Sequence, residues 1–221
     1  MRIAASFCKQ DQIRFVSHLD MQRLFQRAFR RAKLPLAYSK GFNPHPLLSF
    51  ATALSVGYTS ECEYFDVMLD EDVDPNEFVQ RVNSVLPTGV RILNAKDISG
   101  SKASLTSLMR SAEYFAKVNF HGSVERSDIN RAIEKLLKNQ ITVMKNTKSG
   151  PKLVDIRPQL IDMKLVYSKD NEAIIYIKGK LTAEGGLPVE LLLSALSEKM
   201  GVSCTVNVNR KCIEMDWTVM A

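Results

Sequence analysis

No two of the four cysteines, Cys8, Cys62, Cys204 and Cys212, are spaced as a Cys-x-x-Cys pair. This argues against a structural zinc site or an iron–sulfur loop. No stretch approaches the ~18 consecutive apolar residues of a membrane span, so no membrane partner is expected. Lys9, Gln10 and Asp11 break the apolar start before it could act as a signal peptide. Scattered thiols behind no leader fit a cytoplasmic protein with reduced cysteines. Glycine is equally uninformative: AEGGLP (183–188) is a glycine-rich helix entry without the length or the lysine of a phosphate loop. The expectation is therefore no metal and no cofactor.

What is present is an ordinary globular composition, 45% hydrophobic and 24% charged. The 221 residues are enough for one large domain or two small ones. The net charge of +6 permits nucleic acid as a partner without requiring it. Its distribution says more. Residues 1–46 hold Arg2, Lys9, Arg14, Arg23, Arg27, Arg30, Arg31, Lys33 and Lys40 against Asp11 and Asp20, whereas residues 61–77 hold eight acids and no base.

The pattern of apolar residues gives an element order. RIAASFC (2–8) reads as a strand. Ser17 with Asp20 three residues on resembles a capping box, and Met21, Leu24, Phe25, Ala28, Phe29 and Ala32 then recur at helical spacing until Pro35. A strand centred on EYFDVML follows. Asp74-Pro75 opens a second helix, and VRILNAKDI supplies another strand. The order strand, helix, strand, strand, helix, strand is the ferredoxin-like βαββαβ pattern. SGSKASLTS (99–107) reads as a linker, after which EYFAKVNF, a helix capped by Ser127 or Asp128, two further strands, the helix VELLLSALSEKM and CTVNVNRKCIEM repeat the order. The expected fold class is α+β: two tandem ferredoxin-like units with antiparallel sheets, residues 1–98 and 108–221; the alternative is a single mixed α/β domain with one continuous sheet.

Candidate functional residues concentrate between Arg14 and Pro46. Arg23, Arg27 and Arg30 fall at i, i+4, i+7 on the face opposite the apolar stripe, with Arg31 and Lys33 beside them. A helix face that is merely solvated usually mixes signs. This one has Asp20 alone, which suits phosphate or an acidic protein surface. GFNPHP (41–46) is a loop locked by two prolines that would hold Asn43 and His45 in place, with Lys40 alongside. His18 starts the helix and could contact phosphate or act as an acid–base group. The expected nucleic-acid contacts are Arg14, His18, Arg23, Arg27, Arg30, Arg31, Lys40, Asn43 and His45. The enzymatic alternative is a metal-independent endoribonuclease in which His18 or His45 is the general base. A protein–protein adaptor, with the basic helix on an acidic partner, is the third reading. In the second half, Arg157 precedes Pro158 within an apolar run, as expected of an ion-pair partner at a sheet edge.

RFVSHLDMQRLFQRAFRRAKLPLAYSKGFNPHPLLSF, with VDIRPQLID and GLPVELLLSAL later, resembles the bacterial radical SAM-linked proteins, a family of uncharacterised function. The resemblance implies a radical S-adenosylmethionine protein as partner and RNA-related chemistry, with tRNA or rRNA modification or processing as its setting. Such an enzyme needs three closely spaced cysteines for its cluster. This chain has none so placed, so the resemblance implies a non-catalytic subunit, the partner carrying the radical chemistry.

Overall fold

A computed structural model describes residues 1–147 and 150–220, the side chains of Thr147 and Met220 excepted. The fold is α+β and its sheet is mostly antiparallel. The chain forms two compact units, Met1–Met109 with Cys212–Ala221, and Arg110–Lys211. Residues 212–220 therefore belong with the first unit rather than with the residues that precede them.

The first unit contains β1 (Arg2–Lys9), α1 (His18–Arg31), β2 (Leu48–Phe50), β3 (Thr59–Met68), α2 (Pro75–Asn83), β4 (Val90–Asp97) and α3 (Leu105–Leu108). Its strands lie in the order β2–β3–β1–β4, so the strands of the two halves of the βαββαβ run interleave. Alternation along β1 sends Ile3, Ala5 and Phe7 to the helical side, where they meet Phe65 and Val67 of β3. α1 and α2 cover that face with Phe25, Phe29 and Phe78, all fully buried. Phe25 lies at the centre: its ring centroid is 4.9 Å from Phe65, 5.0 Å from Phe7 and 5.7 Å from both Phe29 and Phe50.

The ends of α1 are set by local chemistry. At its start the Ser17 hydroxyl oxygen accepts from the Asp20 backbone N–H and donates to the Asp20 carboxylate at 2.8 Å. Asp, a methylene shorter than Glu, closes the box on the hydroxyl. At its end Lys33 turns left-handed (φ 53), Leu34 N–H donates to Phe29 O and Lys33 N–H to Arg30 O. That is a Schellman stop with lysine where glycine is usual, and Leu34 buries against the same core as Phe29. Three residues thus separate the end of the helix from Pro35. The expected linker is partly structured, for Leu105 and Leu108 of α3 are buried.

The second unit contains β5 (Met109–Phe120), α4 (Arg126–Lys138), β6 (Thr142–Thr147), β7 (Gly150–Asp155), β8 (Leu160–Lys169), β9 (Glu172–Thr182), β10 (Gly185–Gly186), α5 (Val189–Met200) and β11 (Cys204–Met215), which ends in the first unit. β9 pairs with β5 on one side and with β8 and β10 on the other. Three details differ from the sequence expectations. α4 is preceded by Glu125, not Ser127 or Asp128, and has no side-chain cap. The run VDIRPQLID is broken at Pro158 by a 3-10 turn (Arg157–Gln159). Arg157 makes hydrogen bonds rather than an ion pair, donating to Leu137 O at 2.6 Å and Leu160 O at 2.8 Å, which ties the end of α4 to β8. No helix among the described residues is long and apolar enough to cross a membrane, and no disulfide joins the four cysteines.

Candidate nucleic-acid interface

On α1 the buried stripe of Met21, Phe25, Ala28 and Phe29 fixes the opposite face in solvent, so Arg23, Arg27, Arg30 and Arg31 are all exposed. Arg23 pairs with Asp20 at 3.0 Å. The Ser17 hydrogen bond, and after it Arg23, holds the Asp20 carboxyl below the usual carboxylate range. This one acid therefore stays ionised at the head of the face. Arg31 donates to Val85 O. From Met21 to Ser60 the sequence contains no Asp or Glu. Two of the nine early bases do not contribute to this surface. Lys9 is buried, where desolvation lowers its pKa and its ammonium donates to Val16 O at 2.8 Å. Arg2 grips both Asp66 oxygens, at 3.2 and 3.0 Å.

Residues 38–46 form a protruding loop. A bridge between Tyr38 and Pro46 closes its base, and Ser39 N–H donates to His45 O at 2.9 Å. His45 N–H donates to the Ser39 hydroxyl oxygen, which lies 2.9 Å from His45 Nδ1. The tip needs Gly41, whose φ is +131. Lys40, Phe42, Asn43 and His45 are exposed, and Phe42 completely so. Six residues separate the end of α1 from Tyr38, a span of at most roughly 25 Å. Arg81 of α2 braces this junction, donating to Ala32 O at 2.8 and 3.1 Å and to Lys33 O.

His45 also lines a cleft of about 690 Å³ with Leu47, Ser49, Met68, Ser99, Ser101, Lys102 and Ser104. Its carboxylate, Asp66, is held by Arg2, which also donates to Ser101 O and Ala103 O. A smaller recess of about 170 Å³ lies elsewhere on the first unit, where Trp217 packs against Tyr64 and under the Lys96 ammonium, 3.2 Å from the ring centroid. Burial lowers the Lys96 pKa and, with the Cys62 thiol, raises that of Tyr64.

The remaining expected residues are more local. His18 is half-buried, its ring 5.4 Å from that of Phe50 and 3.4 Å from the Gln22 amide. Arg14 lies over the exposed Phe15 ring at 4.7 Å. His18 and His45 therefore have separate surroundings, one against a core phenylalanine and the other in the loop. No group of three His, Cys, Asp or Glu side chains among the described residues could hold a metal ion. Sequence reasoning missed Phe42, whose signal was an apolar residue inside a Gly-Pro loop, and the cleft, whose parts come from four separate segments.

The same fold occurs in larger solved chains. One, in the crystal structure of a Cbf5–Nop10–Gar1 complex, has a TM-score of 0.58 and 10% identity over 96% of this chain and 48% of that one. Another, in the archaeal box H/ACA sRNP Nop10–Cbf5 complex, has a TM-score of 0.53 and 10% identity over 94% and 46%. A third, in an H/ACA RNP bound to a substrate RNA containing 2′-deoxyuridine, has a TM-score of 0.54 and 11% identity over 94% and 46%. The chain thus spans about half the length of these structures' chains, and at such identity the likeness is one of fold. No curated protein matches it. Residues 2–190 match the family described as an uncharacterized protein conserved in bacteria (DUF2344), and the chain belongs to that family.

Proposed function

We infer that the protein is a non-catalytic RNA-binding subunit of a protein–RNA assembly, working in the cytoplasm beside a radical S-adenosylmethionine protein that does the chemistry on tRNA or rRNA. The observation that carries this is the exposed arginine face of α1, followed by the Lys40–His45 loop, within forty residues that contain no carboxylate. One-signed surfaces of this kind neutralise phosphates and release counterions. The shared fold adds analogy, since the third solved structure contains a substrate RNA. In this reading both halves are ferredoxin-like platforms divided at residues 99–107. Arg14, His18, Arg23, Arg27, Arg30, Arg31, Lys40, Asn43 and His45 supply the contacts.

Affinity capture of the tagged chain, with and without nuclease and after crosslinking, tests the assembly. The expected result is a radical S-adenosylmethionine protein together with crosslinked RNA, and loss of the RNA on Arg23→Glu, Arg27→Glu and Arg30→Glu combined. Capture of the protein partner without RNA, unaffected by the triple substitution, makes the chain an adaptor instead. Site-specific RNA cleavage by the purified chain, abolished by His18→Ala or His45→Ala, makes it a nuclease.

A further inference from the structure

The arginine face explains attraction to a polyanion but neither the Phe42 ring nor the cleft beside it. A ring standing wholly in water contributes nothing to the core, and this one is held out by a braced loop. The Tyr38–Pro46 bridge and the Ser39–His45 hydrogen bonds fix the base of the loop, and two prolines stiffen its return strand. An aromatic residue that docks in a protein pocket is best served by apolar neighbours. Those of Phe42 in the sequence include Lys40, Gly41 and Asn43, all exposed. A cation, an amide and a π-face together are the parts that grip an unpaired base and its phosphate.

The cleft continues this surface. His45 is three residues from Phe42, at most roughly 10 Å along the backbone, and it lines the cleft with Ser49, Ser99, Ser101 and Lys102. A volume of about 690 Å³ is in the range of small-molecule sites. Because Arg2 neutralises Asp66, the wall holds no unpaired negative charge from that residue.

Resting on the RNA reading, we propose that residues 38–46 and this cleft form one site for unpaired ribonucleotides. Phe42 stacks on a base, and the adjoining nucleotide enters the cleft, where Ser49 meets its base edge or ribose and Lys102 its phosphate. Duplex RNA keeps its bases stacked inside the helix and cannot use either half of the site.

Fluorescence anisotropy with a labelled oligoribonucleotide of about twelve unpaired bases, and with the same strand annealed to its complement, tests this. The wild type should prefer the single strand. Phe42→Ala should weaken that binding by roughly 5- to 100-fold without changing its salt dependence, because stacking releases no counterions. Phe42→Tyr should restore it. Ser49→Phe, which fills the cleft from an exposed position, should weaken single-strand binding while leaving the duplex unaffected; circular dichroism checks that each variant folds. Equal affinity for strand and duplex overturns the proposal, as does full binding by Phe42→Ala or by Ser49→Phe, while leaving the arginine face as an RNA surface. Binding of neither RNA by the wild type sinks the RNA reading itself.

Discussion

Replacing Arg23, Arg27 and Arg30 by glutamine removes three positive charges and installs no repulsion. Glutamine and arginine have nearly equal helix propensity, so α1 should persist. The Arg23–Asp20 pair is exposed on both sides, 69% and 53%, and its loss contributes little. Arg30 lies in the last turn, where its charge on the helix dipole is worth about 0.3–1 kcal/mol. The melting temperature should therefore fall by only a few degrees. RNA binding should respond differently. Each phosphate contact to a single strand contributes about 0.7 to the slope of log affinity against log salt, so three contacts contribute about 2. Raising salt from about 50 to 200 mM should then cost the wild type roughly twenty-fold more affinity than the variant. Filter binding at four or five salt concentrations measures both slopes. An unchanged slope in a variant that melts normally would refute the assignment of α1 to phosphate contact.

The remaining expectations concern what holds this surface in place. Ser17→Ala removes the acceptor for the Asp20 N–H and should cost about 1 kcal/mol, read by urea unfolding. Arg81→Ala leaves the carbonyls of Ala32 and Lys33 without their guanidinium and should cost about 1–3 kcal/mol. Hydrogen exchange should also show faster opening over residues 32–38 in that variant, a change a simple surface truncation does not produce. The pH dependence follows from Asp20. Its folded pKa is depressed, so its contribution is present above the unfolded value of about 3.9 and is lost as pH falls through the lower folded value. Thermal melts of Asp20→Asn and wild type should differ near neutrality and converge as the pH falls toward about 2. A constant difference across that range would mean that the Asp20 charge is not what the helix uses.

How far the sequence could be read depended on the range of the interaction that decided each feature. Met21, Phe25, Ala28 and Phe29 announce α1 because one helix and one sheet face suffice to explain their spacing. Asp74-Pro75 was equally plain, since the Asp74 carboxylate accepts from Asn76 and Glu77 within the same turn. Glu125 lay beyond local rules, because it precedes α4 without capping the helix through its side chain and two better capping residues follow it. The return of residues 212–220 to the first unit was hidden for a stronger reason. Trp217 is placed by Tyr64 and Lys96, more than a hundred residues away, and no local pattern encodes such partners. The candidate interface divides along the same line. Charge is additive along a helix, so the arginine face was visible in four residues spaced by three and four. It was also overcounted, because nothing near Lys9 or Arg2 reveals that one is buried and the other committed to Asp66. The cleft requires His45, Ser49, Met68 and the 99–104 segment at once, which only the sheet brings together. Phe42 sits between these cases. Its loop was legible from glycine and proline, but in sequence an apolar residue in a loop looks the same whether it folds back onto the core or stands out in solvent. The Tyr38–Pro46 bridge and the left-handed Gly41 accompany the second outcome, for the Phe42 ring stands fully in solvent.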